Sequence, residues 1–80
     1  MNDSDILQHI NQLVKEEHDL MNKAEESELT EEQHARMQQL QVSLDQCWDL
    51  LRQRRARREF GENPNEAVER DPSTVEHYLQ

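Results

Sequence analysis

Five arginines, Arg52, Arg54, Arg55, Arg57 and Arg58, fall within seven positions, and no other stretch concentrates one chemistry so strongly. On a helix these guanidiniums surround most of the circumference, which suits contact with phosphates or with an acidic protein surface. No aromatic residue is interleaved to stack bases, and no recognition-helix motif accompanies the run. Internal balance is the competing reading. Asp3 and Asp5 of a preceding helix should lie beside Leu50 to Arg52, and the following segment brings Glu59, Glu62, Glu66, Glu69 and Asp71. Exposed pairs of this kind are worth only about 0–1 kcal/mol each. Charge balance alone is therefore a weak reason for five clustered arginines, and a binding role stays in play.

The histidines His9, His18, His34 and His77 invite a metal reading. Glu31-x-x-His34 has the spacing used in carboxylate-bridged di-iron bundles, with Glu17 and His18 within reach across a hairpin. Glu31 and Glu32 are equally ordinary first-turn acids, and residues 16–18 equally a solvated edge. We assign no metal ligand and no cofactor. Cys47 precedes Trp48 on an apolar helix face, where a small packed thiol is the simpler reading than a nucleophile or redox sensor. No Ser/His/Asp set, glycine-rich loop or CxxC pair is present, so the chain reads as non-enzymatic.

The elements that position these residues follow from periodicity. Met37, Leu40, Leu44, Cys47 and Leu51 are spaced 3, 4, 3 and 4 apart, the seam of a helix packed on another helix. Trp48 widens that face, whereas Val42 and Leu50 fall off it and leave apolar surface for a second contact. Thr30 and Gln33 form a capping-box pattern with Leu29 as staple, so this helix should run from Glu31 to about Glu59, stopped by Gly61. An earlier helix, N-capped by Asp3 or Ser4, carries Ile6, Ile10, Leu13 and Leu20 in one row and Leu7, Val14 and Met21 in the next. Both rows should face the core. Glu17 falls near the middle of that stripe and should meet His34, Gln38 or Gln41 of the second helix, or a partner chain. The EESEL connection is short, so the helices must be antiparallel neighbours, and residues whose numbers sum to about 55 lie side by side. Residues 61–71 read as an acidic linker. Asp71-Pro72 then caps a short terminal helix over 72–80, with Val75, Tyr78 and Leu79 on one side.

Composition sets the limits. Only 32% of the 80 residues are hydrophobic and 34% are charged, a lean core for a chain this short. Self-association is the natural remedy. The net charge of −9 argues against general nucleic-acid affinity, yet residues 52–58 carry +5 and the remainder −14. One cysteine excludes an internal disulfide, and no secretory or transmembrane run is visible, which reads as cytoplasmic.

The stretch LDQCWDLLRQRRARR, with EEH at 16–18 and YLQ at 78–80, resembles a family of short actinobacterial proteins catalogued as a domain of unknown function. The resemblance implies a small helical bacterial protein and brings no activity, cofactor or binding site.

The sequence therefore predicts an all-α fold: a coiled-coil-like antiparallel two-helix hairpin (1–60), a linker and a terminal helix, pairing into a four-helix homodimer. Leu13, Glu17, Leu44, Cys47, Trp48 and Leu51 are the structural residues of this reading. Arg52, Arg54, Arg55, Arg57, Arg58, Val75, Tyr78 and Leu79 are its contact surfaces for a partner such as an acidic protein, with Val75, Tyr78 and Leu79 equally suited to folding back onto the apolar surface near Leu50. A nucleic-acid-associated accessory protein using the arginine run is the alternative, and a metal-binding bundle a more distant one.

Overall fold

A computed structural model describes the backbone of residues 2–79 and the side chains of residues 2–76. It is helical, with α1 spanning Asp3–Glu26, α2 spanning Glu31–Glu59, a single 3-10 turn at Pro64–Glu66, and α3 spanning Pro72–Leu79. The molecule is a rod of 50 × 25 × 16 Å. The side chains of Tyr78 and Leu79, expected at a contact surface, lie outside the described residues.

Each helix end has a local cause. The cap of α1 is Asn2, one residue earlier than the sequence suggested. Its side chain accepts from the Asp5 amide at 2.8 Å, while Asp5 accepts from the Asn2 amide at 3.2 Å. Asn satisfies the orphan amides as well as Asp or Ser does, and Asp5 supplies the reciprocal bond. At α2 the Thr30–Gln33 box forms as expected, with bonds of 3.1 and 2.9 Å. Its C-terminus closes by Gly61 at φ 73, with the Glu62 amide on the Arg57 carbonyl at 2.7 Å and the Gly61 amide on that of Arg58 at 3.2 Å. That paired closure needs a left-handed residue, which glycine adopts without a Cβ clash. Asp71 caps α3, accepting from the Thr74 amide at 3.0 Å and the Ser73 hydroxyl at 2.6 Å.

The hairpin packs along one row from each helix. Ile6, Ile10, Leu13 and Leu20 of α1 and Leu40 and Leu44 of α2 are buried, with Met37, Cys47 and Leu51 half-buried against them. The cross-helix pairs Glu16–Arg36 and Asp3–Arg54 hold the antiparallel register near the expected sum.

Two expectations about the core are corrected. Leu7, Val14 and Met21 do not face it: all three are about half-exposed, as is Trp48 at 46%. The row of α2 opposite them is His34, Gln41, Trp48 and Arg55, all exposed and mostly polar, so only one apolar row of α1 finds an apolar counterpart. Glu17 is half-buried and has no hydrogen bond or ion pair among the described residues; the neighbouring Glu16 takes Arg36 instead. A carboxylate at the edge of the helix pair keeps its water and needs no protein partner.

The second face of α2 is covered by the chain itself. The 3-10 turn and α3 both pack on α2. Leu50 is buried, Ala67 packs against the same core, and Val75 is only 1% exposed. Residues 61–71 thus run back along α2 as a strap, antiparallel to it, and α3 continues in that direction.

Candidate functional site

A strap without helix or sheet partners must have its carbonyls satisfied some other way. Side chains of α2 do this. Gln46 donates to the Arg70 carbonyl at 3.1 Å, Gln53 to that of Val68 at 2.8 Å, and Arg54 to that of Pro64 at 3.1 Å. Positions 46 and 53 lie about two turns apart on one row and position 54 stands on the adjoining row, so they form a ladder along one side of α2. Asp49 stands in the same ladder and is 3% exposed. Its carboxylate accepts from Gln53 at 3.0 Å and lies 3.5 Å from Arg70 Nε and 3.8 Å from Arg52.

Arg54 is the centre of this arrangement. It is 5% exposed, and its guanidinium joins three segments at once. Nε donates to Asp3 at the start of α1, while Nη1 donates to the Pro64 carbonyl and to Asn65 Oδ1, both at 3.1 Å. Burying a guanidinium costs several kcal/mol unless each face is met, and the planar fork of arginine meets a carboxylate and two carbonyls together. Asp3 also accepts from Arg58. The Arg54 hydrogen bond, followed by that of Arg58, holds the Asp3 carboxyl below its ordinary value. Arg57 pairs with Glu62 at 3.1 Å and Glu66 at 3.6 Å.

The arginine run thus divides. Arg54, Arg57 and Arg58 bind carboxylates of their own chain. Arg54, expected on a contact surface, is instead inside the fold, and Val75 takes the folded-back alternative, because the strap and α3 close over that side of α2. Arg52 touches only the edge of Asp49, and Arg55 has no carboxylate partner among the described residues. These two, with Arg58, rim a groove of about 340 Å³ whose floor is Leu7, Trp48 and Leu51 and which Asp3 also lines. The groove lies between α1 and α2. It combines an apolar floor with cationic walls, which can hold a carboxylate-bearing apolar segment.

Of the other candidates, Cys47 is half-buried, and burial, then the charge of Glu69, push its thiol up, away from the reactive thiolate. His18 is hydrogen-bonded with Asn22 at 3.3 Å. Among the described residues, no three His, Cys, Asp or Glu side chains gather as a metal site. No helix among those residues is long and apolar enough to cross a membrane. Sequence reasoning missed Asp49, Gln46 and Gln53. Their signal was a second polar row on α2, at spacings of 3 and 4, facing a segment that lacked backbone partners.

The family model described as "Protein of unknown function (DUF2630)" matches residues 2–80. The chain belongs to this family. The DUF2630 chain is 46% identical over 77 residues to an uncharacterised protein of Mycobacterium bovis, covering 95% of this chain and 88% of that protein. An uncharacterised protein of Mycobacterium tuberculosis strain H37Rv is similar to the same extent. The match includes the strap and α3, in keeping with their place in the fold. No solved structure matches the DUF2630 chain.

Two predictions separate the arginines. Arg54→Met should cost roughly 2–3 kcal/mol, the loss of a charged hydrogen-bond set with its partners left behind, while Arg55→Met stays within about 0.5 kcal/mol. Urea unfolding measures both, and hydrogen exchange at residues 64–75 should accelerate only in the first. The Asp3 carboxyl, lowered when folded, contributes stability that is complete above its ordinary value and lost as pH falls through the lower folded one. Stability measured from neutral pH into acid should therefore drop below about pH 4, and Asp3→Asn should make that acid limb shallower.

Proposed function

We propose that this protein is a non-enzymatic interaction module of the cytoplasm that seats an acidic, apolar-anchored protein segment in the groove between α1 and α2. The observation that carries the reading is the groove itself. The sole tryptophan stands half-exposed on its floor, and the arginines without firm internal partners stand on its walls. Half-exposed tryptophan flanked by arginine is the composition that dominates protein interfaces. An aliphatic side chain would lie on Trp48 and Leu7, and carboxylates beside it would pair with Arg52 and Arg55. The contact surface then lies on the side of the rod away from α3, since Val75 is occupied within the chain.

Nucleic-acid binding is the second reading, and the division of the arginine run weighs against it. With Arg54, Arg57 and Arg58 committed to carboxylates, two arginines remain as a phosphate footprint on a chain of net charge −9. Trp48 alone offers a stacking platform there.

Capture from a native lysate distinguishes the readings. Retained protein should survive nuclease treatment, and Trp48→Glu should weaken capture by about 2 kcal/mol or more, the scale of an interface anchor, without lowering helix content. Capture that disappears with nuclease would favour nucleic acid.

A further inference from the structure

The groove is one end of a longer open face. Leu7, Val14 and Met21 stand seven residues apart along α1, and His34, Gln41, Trp48 and Arg55 seven apart along α2. All seven are exposed. The antiparallel register sets Leu7 beside Trp48, Val14 beside Gln41 and Met21 beside His34. This is the exposed side of a helix pair with coiled-coil spacing, and it lies away from the strap.

The same face is electrically polarised along its length. The groove end carries Arg52, Arg55 and Arg58. The hairpin-turn end carries Glu25, Glu26, Glu28, Glu31 and Glu32, all exposed and none with a basic partner among the described residues.

Building on the reading of the groove as a protein-binding surface, we propose that its occupant is a second copy of this chain, packed antiparallel about a two-fold axis through Val14 and Gln41. The register follows from helix geometry. Arg52 lies 11 residues from Gln41, about 17 Å at 1.5 Å per residue, and Glu31 lies 10 residues away on the other side, about 15 Å, with Glu28 in the turn beyond it. A two-fold axis there lays the groove of each protomer on the acidic turn of the other. Leu7 then meets the partner's Met21, Trp48 the partner's His34, and Arg52 and Arg55 the partner's Glu25, Glu26 and Glu28. The two contacts are equivalent, as a closed symmetric interface requires. A parallel pairing would set arginine on arginine and glutamate on glutamate, so charge selects the antiparallel one. The apolar row of α1 that finds no counterpart within the chain finds one in the partner.

Charge reversal tests this. Sedimentation equilibrium of the full chain at micromolar concentration should show a dimer. Arg52→Glu with Arg55→Glu should raise the dissociation constant at least ~10-fold, and so should Glu25→Arg with Glu26→Arg and Glu28→Arg, because each places like charges at both contacts. Mixing the two variants should restore a dimer, since both contacts become complementary again. Circular dichroism checks that each variant remains helical. As a second measurement, in a Cys47→Ser background, Leu7→Cys should form a disulfide with Met21→Cys in preference to itself. A helical wild type that stays monomeric, or variants that dimerise alone and fail to pair when mixed, would overturn the antiparallel dimer. Should a monomer still capture an acidic protein through Trp48, the interaction reading stands without this partner; should capture be indifferent to Trp48 as well, both fall.

Discussion

The architecture hangs on the buried guanidinium of Arg54. Among the described residues it is the side chain that binds α1, α2 and the strap together, through Asp3, the Pro64 carbonyl and Asn65. A chain with so few apolar residues cannot close its second face by hydrophobic burial alone. It uses a polar ladder instead, with Gln46, Gln53 and Arg54 fixing the strap carbonyls, Asp49 accepting from Gln53 and pairing with Arg70, and Leu50, Ala67 and Val75 filling the space beneath. Each buried side-chain nitrogen and oxygen in the described residues has a hydrogen-bond partner. Such a network is specific in geometry, because leaving any member unmatched costs more than making the bond gains.

That solution consumes most of the charge that made the arginine run conspicuous. Arg54, Arg57 and Arg58 hold their own chain's carboxylates, and of the arginines that rim the groove with Trp48 only Arg52 and Arg55 are not tied to Asp3 or to the strap's glutamates. The consequence is a two-faced central helix. One side of α2 is sealed by the strap; the edge it shares with Leu7, Val14 and Met21 stays open. Membership of the DUF2630 family supplies no activity that would explain this face, so its chemistry carries the functional reading.

Much of the fold was legible in the sequence because its signals are local. The 3-4 spacing of Met37 to Leu51, the Thr30–Gln33 box, Gly61 and Asp71-Pro72 each determine a backbone outcome within a turn or two. What escaped was tertiary. Leu7, Val14 and Met21 have helical spacing suited to a core, and only the polar row opposite reveals that they remain outside it. Arg54 looks like a surface residue, and Val75 could turn outward or fold back, until the strap is seen to return along α2, a path set by non-local bonds such as Arg54 to Asn65 and Gln46 to Arg70. The groove was half visible: its arginines were evident and the register set Leu7 beside Trp48, but both were expected inside the core rather than on an open face.

The central claim is that the strap side of α2 is closed within the chain while the Trp48 side is closed by contact with another molecule of it. Trp48 is the sole tryptophan, so its fluorescence reports that face alone. Serial dilution of the unmodified protein should shift its emission to longer wavelength as the partner leaves, with helix content largely retained. Emission that stays constant across the whole dilution range would contradict the account.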